Sequence, residues 1–380
     1  MYFSIITTMQ RKVFQSCFAW SKMFTCVHRD LSPINTRMRY IQYWWTNDTT
    51  RRVNSCSQVD MSKQDVKVQR VTQADYDKVM SISPEGDIYS GTDYLRDYFK
   101  MLIDMPSIEA YAVVIDGIFR SFVAMMIVDG GKTVVPRAGR THKDFTGQRI
   151  NERLFDWFEK HSPRRQDFVH YTSTGGSHIK GLLGQIERGS KRIILQQEYR
   201  SYVNTSSDLS ERLAGFCYNL TTAKSIDEEG LGEILSNQAL HRELFPEGRL
   251  IVDWVPYRPM KSNANLIKTA RTSMVVSDLG NSKKCVLTFG NYFMAAIGLV
   301  CNLDVYGHAD FILKDHILLQ IKHILPHAKS KKVIIRCFGP ENTNWDFVYS
   351  LMKDFGFHEE EIFGTGLLCA EQTIHERSKL

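Results

Sequence analysis

The chain has 380 residues, of which 43% are hydrophobic and 24% are charged, so it has enough apolar material for a buried core. A chain of this length usually divides into two domains. The net charge is +6, but residues 1–65 hold nine Lys and Arg against four acidic residues, which leaves the remainder nearly neutral. This balance argues against a nucleic-acid partner. No apolar stretch approaches the ~18 residues of a membrane span, so we expect no membrane partner.

The eight cysteines form no CxxC pair and have no histidine at zinc-finger spacing. We therefore predict buried free thiols in a reducing compartment and no metal site. Four histidines cluster around one predicted helix, and we favour a surface helix over metal ligation because a proline should end the helix between the last two. They are His308, His316, His323 and His327.

Residues 1–64 do not have the pattern of a folded domain, since they contain no acidic residue before Asp30 and are rich in Ser, Thr and Arg. A disordered tail, a mitochondrial presequence and a mis-called translation start all fit this composition. We expect a cytoplasmic protein, or a mitochondrial one if the segment is a presequence. A chain that begins at Met61 is expected to fold.

Residues 65–204 are predicted to form one α/β unit. It begins with a strand at Val66, a helix capped by Thr72 and a second helix over Tyr94–Ile103. Strands Ala110–Ile115 and Phe119–Val128 follow, joined by the hairpin signal Asp116-Gly117. The order β-α-α-β-β-β-α-β-α-β is completed by elements at Thr133–Val135, Ile150–Phe158, Asp167–Ser173, Leu182–Glu187 and Arg192–Val203.

A second α/β unit is predicted over residues 226–380, after a connector at 205–225 that contains a helix at Leu209–Phe216. Its helices are predicted at Leu231–Ala239, Ile312–Ile324 and Asn344–Phe355. Its strands are predicted at Leu250–Val255, Thr272–Val276, Lys284–Leu287, Met294–Leu303, Val333–Phe338 and Glu361–Leu368. The fold class is therefore α/β, with strands and helices mixed in both units.

A strand, a polar loop and an amphipathic helix follow one another between Val128 and Phe158. A loop that enters a helix directs unpaired backbone amides and the positive end of the helix dipole at one point, where a pyrophosphate can bind. The turn Lys143–Arg149 contains one glycine, Gly147, that takes positive φ without strain. A β-loop-α connection that binds nothing therefore remains the alternative.

The element order of the first unit resembles the GNAT superfamily of N-acetyltransferases, and four local strings are similar to the histidine N-acetyltransferase family. The strings are Asp87-Ile-Tyr-Ser-Gly-Thr-Asp-Tyr-Leu, Val128-Asp-Gly-Gly-Lys-Thr-Val-Val, Asp253-Trp-Val-Pro-Tyr-Arg-Pro with Asn265-Leu after it, and Asn302-Leu-Asp-Val-Tyr-Gly. The resemblance implies transfer of an acetyl group from acetyl-CoA, the one cofactor expected, to a small-molecule amine. In that family the acceptor is an amino acid such as histidine.

The resemblance also implies where the ligands bind. The fourth and fifth strands of such a fold splay, so backbone groups near 137–141 would pair with the pantetheine arm and polarise the thioester carbonyl. The expected cofactor residues are Arg140, Thr141, His142, Gly147, Gln148, Arg149, Ile150 and Asn151. The expected acceptor residues are Tyr89, Asp93, Tyr94, Asp253, Tyr257 and Tyr306. A carboxylate, a His or an ordered water must take the proton of the amine, and no residue is assigned that role.

The chain departs from the family pattern at two places. The pyrophosphate signature Arg-x-x-Gly-x-Gly/Ala falls on residues 146–151, where Thr146, Arg149 and Asn151 replace its three defining residues. On the fourth strand, Arg137 stands where family members carry a glutamate that could act as base. Two functions therefore remain open: an acetyltransferase with an altered hold on its coenzyme, and a binding module without turnover.

Overall fold

The computed structural model describes residues 65–83, 88–215, 223–307, 310–329 and 331–374. The predicted extension 1–64, with its targeting alternatives, and His308 lie outside these ranges. In the described part, thirteen strands form one sheet and two further strands form a separate hairpin. The strands are β1 (Val66–Arg70), β2 (Ile108–Ile115), β3 (Ile118–Val128), β4 (Thr133–Thr141), β5 (His170–Gly176), β6 (Arg192–Thr205), β7 (Ala223–Ser225), β8 (Leu250–Val252), β9 (Val255–Tyr257), β10 (Thr272–Ser277), β11 (Val286–Ala295), β12 (Gly298–Tyr306), β13 (Lys332–Pro340), β14 (His358–Glu359) and β15 (Gly366–Thr373).

The α-helices lie on both faces of the sheet. They are α1 (Tyr76–Met80), α2 (Leu95–Asp104), α3 (Ile150–His161), α4 (Lys180–Glu187), α5 (Ser206–Gly215), α6 (Glu228–Ile234), α7 (Gln238–Leu244), α8 (Ala264–Ile267), α9 (Asp310–Ile324) and α10 (Trp345–Asp354). None of the helices in the described ranges is long and apolar enough to cross a membrane.

The element order predicted for residues 65–204 is confirmed. Thr72 and Asp75 form a capping box in front of the first helical segment, as the predicted cap requires. The hairpin between β2 and β3 turns at Asp116 and Gly117, which both have positive φ, of 51° and 79°. Such angles are those of a type I′ turn, the turn that an Asp-Gly pair favours.

One difference from prediction in the second unit is the hairpin of β11 and β12. Strands were predicted at Lys284–Leu287 and Met294–Leu303, whereas β11 continues to Ala295 and β12 begins at Gly298. The hairpin therefore turns at residues 296–297, inside the second predicted strand. The turn has no polar signal, but Gly298 has a φ of 143° and an added Cβ would lie 2.3 Å from the carbonyl oxygen of Lys332. This close approach requires glycine, and it depends on a strand distant in sequence.

Two other elements of the second unit also differ from prediction. The helix predicted at Leu231–Ala239 is two helices, because the Asn237 side chain accepts hydrogen bonds from the amides of Ala239 and Leu240 and caps α7. The strand predicted at Leu250–Val255 is the hairpin β8–β9, which turns at Asp253 and Trp254. Both residues have positive φ, which sequence patterns rarely indicate for tryptophan.

The sheet order exchanges strands between the two halves of the chain. The path runs β1-β2-β3-β4-β5-β15-β6-β13-β12-β11-β10-β7, and the thirteenth strand, β14, pairs with β6 outside this path. The C-terminal strand β15 therefore lies between β5 and β6 of the N-terminal half, and β6 lies between β15 and β13 of the C-terminal half. The two halves consequently share one continuous sheet.

The two faces of the sheet have separate cores. On the outer face, α3 packs on β2 and β3, while α5, α9 and α10 pack on β12 and β13. On the inner face, α1, α2 and the β8–β9 hairpin pack in a core that runs from β2–β4 to β10–β12. The inner face is therefore where side chains from both halves of the chain meet.

The histidines of α9 do not all lie at the surface. His316 is fully buried, with its Nδ1 3.0 Å from Thr288 Oγ1, so the surface interpretation is wrong for this residue. Burial lowers the pKa of His316 to about 4, which keeps the ring neutral. Within the described ranges, no three His, Cys, Asp or Glu side chains are grouped to hold a metal ion.

Candidate active site

Strands β4 and β5 separate after a short parallel contact. They pair only at Thr133 with His170 and Val134 with Tyr171, and β4 then continues to Thr141 along β3 alone. The corresponding strands of the C-terminal half, β12 and β13, pair at six consecutive positions. The opening between parallel strands therefore belongs to the N-terminal half of the described chain.

A β-bulge lies on β4 beside this opening. The register with β3 shifts so that Ala138 and Gly139 are inserted between the pairs Phe122–Arg140 and Ala124–Arg137. Ala138 has a φ of 54°, a left-handed conformation that costs about 1 kcal/mol for alanine. An inserted residue leaves backbone groups outside the ladder, so they are free to bind a ligand.

The loop after β4 leads into α3 with several free amides. The amides of Phe145, Thr146 and Gln148 donate to carbonyls within the loop. Those of 147, 149, 150 and 151 have no hydrogen-bond partner in the described ranges. Gly147 and Arg149 have positive φ, of 81° and 56°, and α3 begins at Ile150. The arrangement is that of an anion site at a helix N-terminus.

The two bulky residues of this loop leave the amides uncovered by their own side chains. Arg149 extends into solvent with 76% of its side chain exposed, and its Nε lies 3.8 Å from Glu152 Oε1. The Asn151 side chain is held by Ser121, whose hydroxyl donates to Asn151 Oδ1. Arg149 can therefore approach a bound phosphate from the side.

On the inner face, Arg137 forms a buried ion pair with Asp253 of the β8–β9 hairpin. Arg137 Nη2 lies 2.9 Å from Asp253 Oδ2 and also donates to the Asp253 carbonyl oxygen at 3.1 Å. Its guanidinium lies over the ring of Tyr94, 5.3 Å from the ring centre. Burial would lower the pKa of Arg137, but Tyr94 and Asp253 raise it above its usual range, so the side chain is charged.

Asp253 is bound on its other side by β12. Asn302 Nδ2 donates to Asp253 Oδ1 at 2.8 Å, and the Asp253 amide donates to Asp304 Oδ2 at 3.0 Å. Burial raises the pKa of Asp304 well above its usual range, and the amide of Asp253 only partly opposes this effect. With Asp304 neutral, the charges of Arg137 and Asp253 balance.

Comparisons of the sequence and the fold with known proteins identify relatives of this chain. Residues 219–339 match the family described as histidine N-acetyltransferase, C-terminal. The chain is 22% identical over 308 residues to a histidine N-acetyltransferase of Xenopus tropicalis, covering 76% of this chain and 90% of that protein. It is 24% identical over 281 residues to the human protein named probable N-acetyltransferase 16, covering 70% and 75%.

A solved tandem GNAT protein from the clavulanic acid biosynthesis pathway has the same fold. It aligns with a TM-score of 0.52 at 10% identity and covers 81% of this chain and 98% of its own. The chain is therefore similar to histidine N-acetyltransferases and has the fold of a tandem GNAT protein. The α/β fold class and the family resemblance predicted from the sequence are thereby confirmed.

The expected cofactor residues of this GNAT fold lie in three environments. The five residues 147–151 form the loop and the first turn of α3 described above. Arg140 points to the inner face, where its Nη2 lies 3.1 Å from Asp93 Oδ1 in a buried ion pair. Thr141 is half-buried beside Ser121, and the ring of His142 accepts a hydrogen bond from the amide of Asp144.

The expected acceptor residues all lie on the inner face or at its edge. Tyr89 and Tyr94 stack with their ring centres 6.3 Å apart. Tyr257 is buried and, with Arg137 and Asp253, lines a narrow cavity under α2. The Tyr306 hydroxyl donates to the carbonyl oxygen of Ile251 at 2.7 Å and accepts from its amide at 2.6 Å. These two bonds hold the β8–β9 hairpin in place.

Three polar residues on the inner face were given no site role from the sequence: Asn302 and Asp304, which belong to one of the four strings, and Arg336. All three are buried, with Arg336 on β13 directly beside Asn302 on β12. A signal was present, because each is a polar residue at an inward position of an otherwise apolar strand.

Proposed function

We propose that the protein is an acetyl-CoA-dependent N-acetyltransferase that acts on the amine of a small molecule, with histidine as the first acceptor to test. The observation that carries the proposal is the separation of β4 from β5 after only two residue pairs. Separated strands expose backbone donors and acceptors, with which the two amides of a pantetheine arm can pair.

The loop before α3 suits the diphosphate of the coenzyme. The amides of residues 147 and 149–151 supply hydrogen-bond donors, and the helix dipole adds a partial positive charge. Arg149 replaces a glycine in the family signature, but its left-handed backbone keeps the path that a glycine gives, and its exposed side chain adds a positive charge. These features support an altered rather than a lost coenzyme site.

The bulge on β4 suits the reacting thioester. Backbone amides beside Ala138 and Gly139 lie outside the regular ladder and can donate to the thioester oxygen as it becomes negative during attack. The attacking amine must be neutral, and Arg137 cannot accept its proton because it is charged. We assign that step to water. Burial raises the pKa of Tyr94, so it stays protonated and can donate to the departing thiolate.

The test is an assay of acetyl transfer to histidine. A thiol reagent detects the free CoA that is released, and mass spectrometry identifies the acetylated product. We expect one acetyl group per histidine for each CoA released. Binding of acetyl-CoA without release of CoA for any amine offered would support the alternative, a binding module without turnover.

A matched pair of glycine variants tests the loop itself. Gly147 and Gly189 both have positive φ, of 81° and 70°, and both have open space where a Cβ would be added. Gly147→Val and Gly189→Val should therefore cost similar stability. We expect Gly147→Val alone to weaken acetyl-CoA binding, as measured by calorimetry. Equal affinities in the two variants would contradict the placement of the diphosphate.

A further inference from the structure

Arg336 is a buried cation with no carboxylate partner in the described ranges. It lies on β13, and only 3% of the residue is exposed. Its Nη2 donates to Thr92 Oγ1 at 2.7 Å, while its Nε has no hydrogen-bond partner. Burial without a counter-charge lowers the pKa of Arg336 to about 10. Such a group destabilises the fold unless a ligand supplies the missing counter-charge.

The residues on both sides of Arg336 also have unused polar atoms. Ser201 on β6 and Asn302 on β12 are its direct register partners, so the three side chains share the inner face. Ser201 Oγ and Asn302 Oδ1 are buried and have no partner. Ser201 and Arg336 supply donors and Asn302 supplies an acceptor, as a ligand with a carboxylate beside an amine requires.

The segment that contains Thr92, the hydrogen-bond partner of Arg336, has a strained backbone. Tyr89, Ser90 and Gly91 have consecutive positive φ values of 51°, 53° and 80°, and Thr92 directly follows them. Thr92 bonds the Tyr89 carbonyl oxygen at 2.6 Å, and Tyr89 packs edge-on against Phe363, which also has positive φ. Strain of about 1–3 kcal/mol per non-glycine residue is typical of segments that clamp or admit a ligand.

We infer that Arg336 and Ser201 bind the carboxylate of the acceptor, and that Asn302 Oδ1 accepts a hydrogen bond from its amine. The inference rests on the proposed function and assigns the residues that select an acceptor with a carboxylate beside its amine. Arg336 is a substrate-binding residue in this scheme, and Thr92 holds its guanidinium in position. An acceptor carboxylate supplies the missing counter-charge and the missing acceptor for the Nε–H.

The test compares L-histidine with histamine, which has the same ring and an amine but lacks the carboxylate. In the wild type we expect kcat/KM to favour L-histidine. In Arg336→Met we expect kcat/KM for L-histidine to fall at least about 30-fold, the loss typical of a removed buried charge partner, and that for histamine to change little. Arg336→Lys should restore part of the preference.

Thermal stability separates a binding role from a structural one. Replacing an uncompensated buried charge by a hydrophobic side chain removes a desolvation cost, so Arg336→Met should have a higher Tm than the wild type without ligand. Arg249→Met is the control, because Arg249 has only 10% of its side chain exposed and has a partner, Glu371, at 2.8 Å. It should have a lower Tm and an unchanged preference between L-histidine and histamine.

Three results would overturn the inference: equal use of both acceptors by the wild type, an equal loss for both in Arg336→Met, or a lower Tm for that variant. Calorimetry with L-histidine and histamine in the absence of coenzyme covers the case in which no acetyl transfer occurs. If the wild type binds L-histidine but not histamine, and Arg336→Met binds neither, the carboxylate site is supported even though the transferase proposal fails. Absence of L-histidine binding there would reject the site as well.

Discussion

At Arg137 a positive charge is buried on β4, and its counter-charge comes from a hairpin 116 residues away. The pair is almost fully enclosed, with 9% and 13% of the two side chains exposed. Removing one member of such a pair leaves an uncompensated buried charge, whereas replacing both can be neutral. The pair therefore makes the position of the β8–β9 hairpin depend on β4.

Asp253→Asn should lower the free energy of unfolding by about 3 kcal/mol, because Arg137 keeps its charge and loses its partner. Urea denaturation measures the change. The double variant Arg137→Met/Asp253→Asn should recover most of the loss. Strict additivity of the two single substitutions would contradict the coupling.

Arg149→Glu should weaken acetyl-CoA binding about tenfold, since a negative side chain at the first turn of α3 repels the diphosphate. Calorimetric titration measures the affinity. Arg242→Glu, an exposed site on α7 with the same charge change, is the control and should bind as the wild type does. Unchanged affinity in Arg149→Glu would place the diphosphate elsewhere.

For individual residues, the sequence predicted which of them lie near the acceptor site, but it did not predict which side chains contact one another. Asp253 and Tyr94 were expected at the acceptor site from local strings, and both lie on the inner face. Their contacts with Arg137 could not be predicted, because they depend on how distant segments pack. Arg336 was missed for the same reason, although an arginine inside the apolar strand Val333–Phe338 is itself a signal.

Among the elements, β15 is held in the sheet by an ion cluster as well as by its strand pairs. Glu371 on β15 lies 2.8 Å from Arg249 and 3.4 Å from Arg258, which flank the β8–β9 hairpin, and accepts a hydrogen bond from Thr172 on β5. Burial raises the pKa of Glu371, but the hydrogen bond and charge of Arg249, with His170 and Arg258, lower it below the usual value of 4.5.

A carboxylate with a lowered folded-state pKa stabilises the fold above its unfolded pKa and loses that contribution as the pH falls through the folded value. Glu371→Gln should therefore cost about 3 kcal/mol near pH 7, because Arg249 loses its carboxylate partner and Arg258 keeps only Asp129. The difference from the wild type should shrink below about pH 4.5. Thermal unfolding between about pH 3.5 and 7 tests this expectation, and a pH-independent difference would contradict it.

Most elements were predictable, and several of the failures reflect tertiary packing. Alternating strands and amphipathic helices such as β3 and α3 are evident from local patterns. The β11–β12 turn was missed because Gly298 is required by the approach of Lys332, not by any turn-forming neighbour. The positive φ of Ala138 and Trp254 likewise reflects tertiary packing that overrides local preference.

In the whole molecule, the exchange of β6 and β15 makes each half incomplete alone. Without the C-terminal half, β5 and β6 lose the strand that lies between them, and without the N-terminal half β13 loses its partner β6. The predicted units 65–204 and 226–380 follow the order of the chain, whereas the sheet joins strands from both. The strand order could not be predicted, because alternation in sequence does not specify which strands pair.

Residues 65–204 and 226–380 expressed separately should therefore show no cooperative unfolding, because each exposes unpaired strand edges. Mixing them during refolding should restore a cooperative transition. A chain that begins at Met61 and keeps both halves is the control and should fold. A cooperative transition in the isolated 65–204 fragment would show that β15 is dispensable.

The central claim of the proposed function is that the half of the protein in which β4 and β5 separate binds an acyl-CoA. Calorimetric titration with acetyl-CoA tests this directly, because the stoichiometry counts the halves that bind. We expect one molecule per chain, since β12 and β13 stay paired over six positions in the other half. Two molecules per chain, or no heat of binding at millimolar acetyl-CoA, would contradict it.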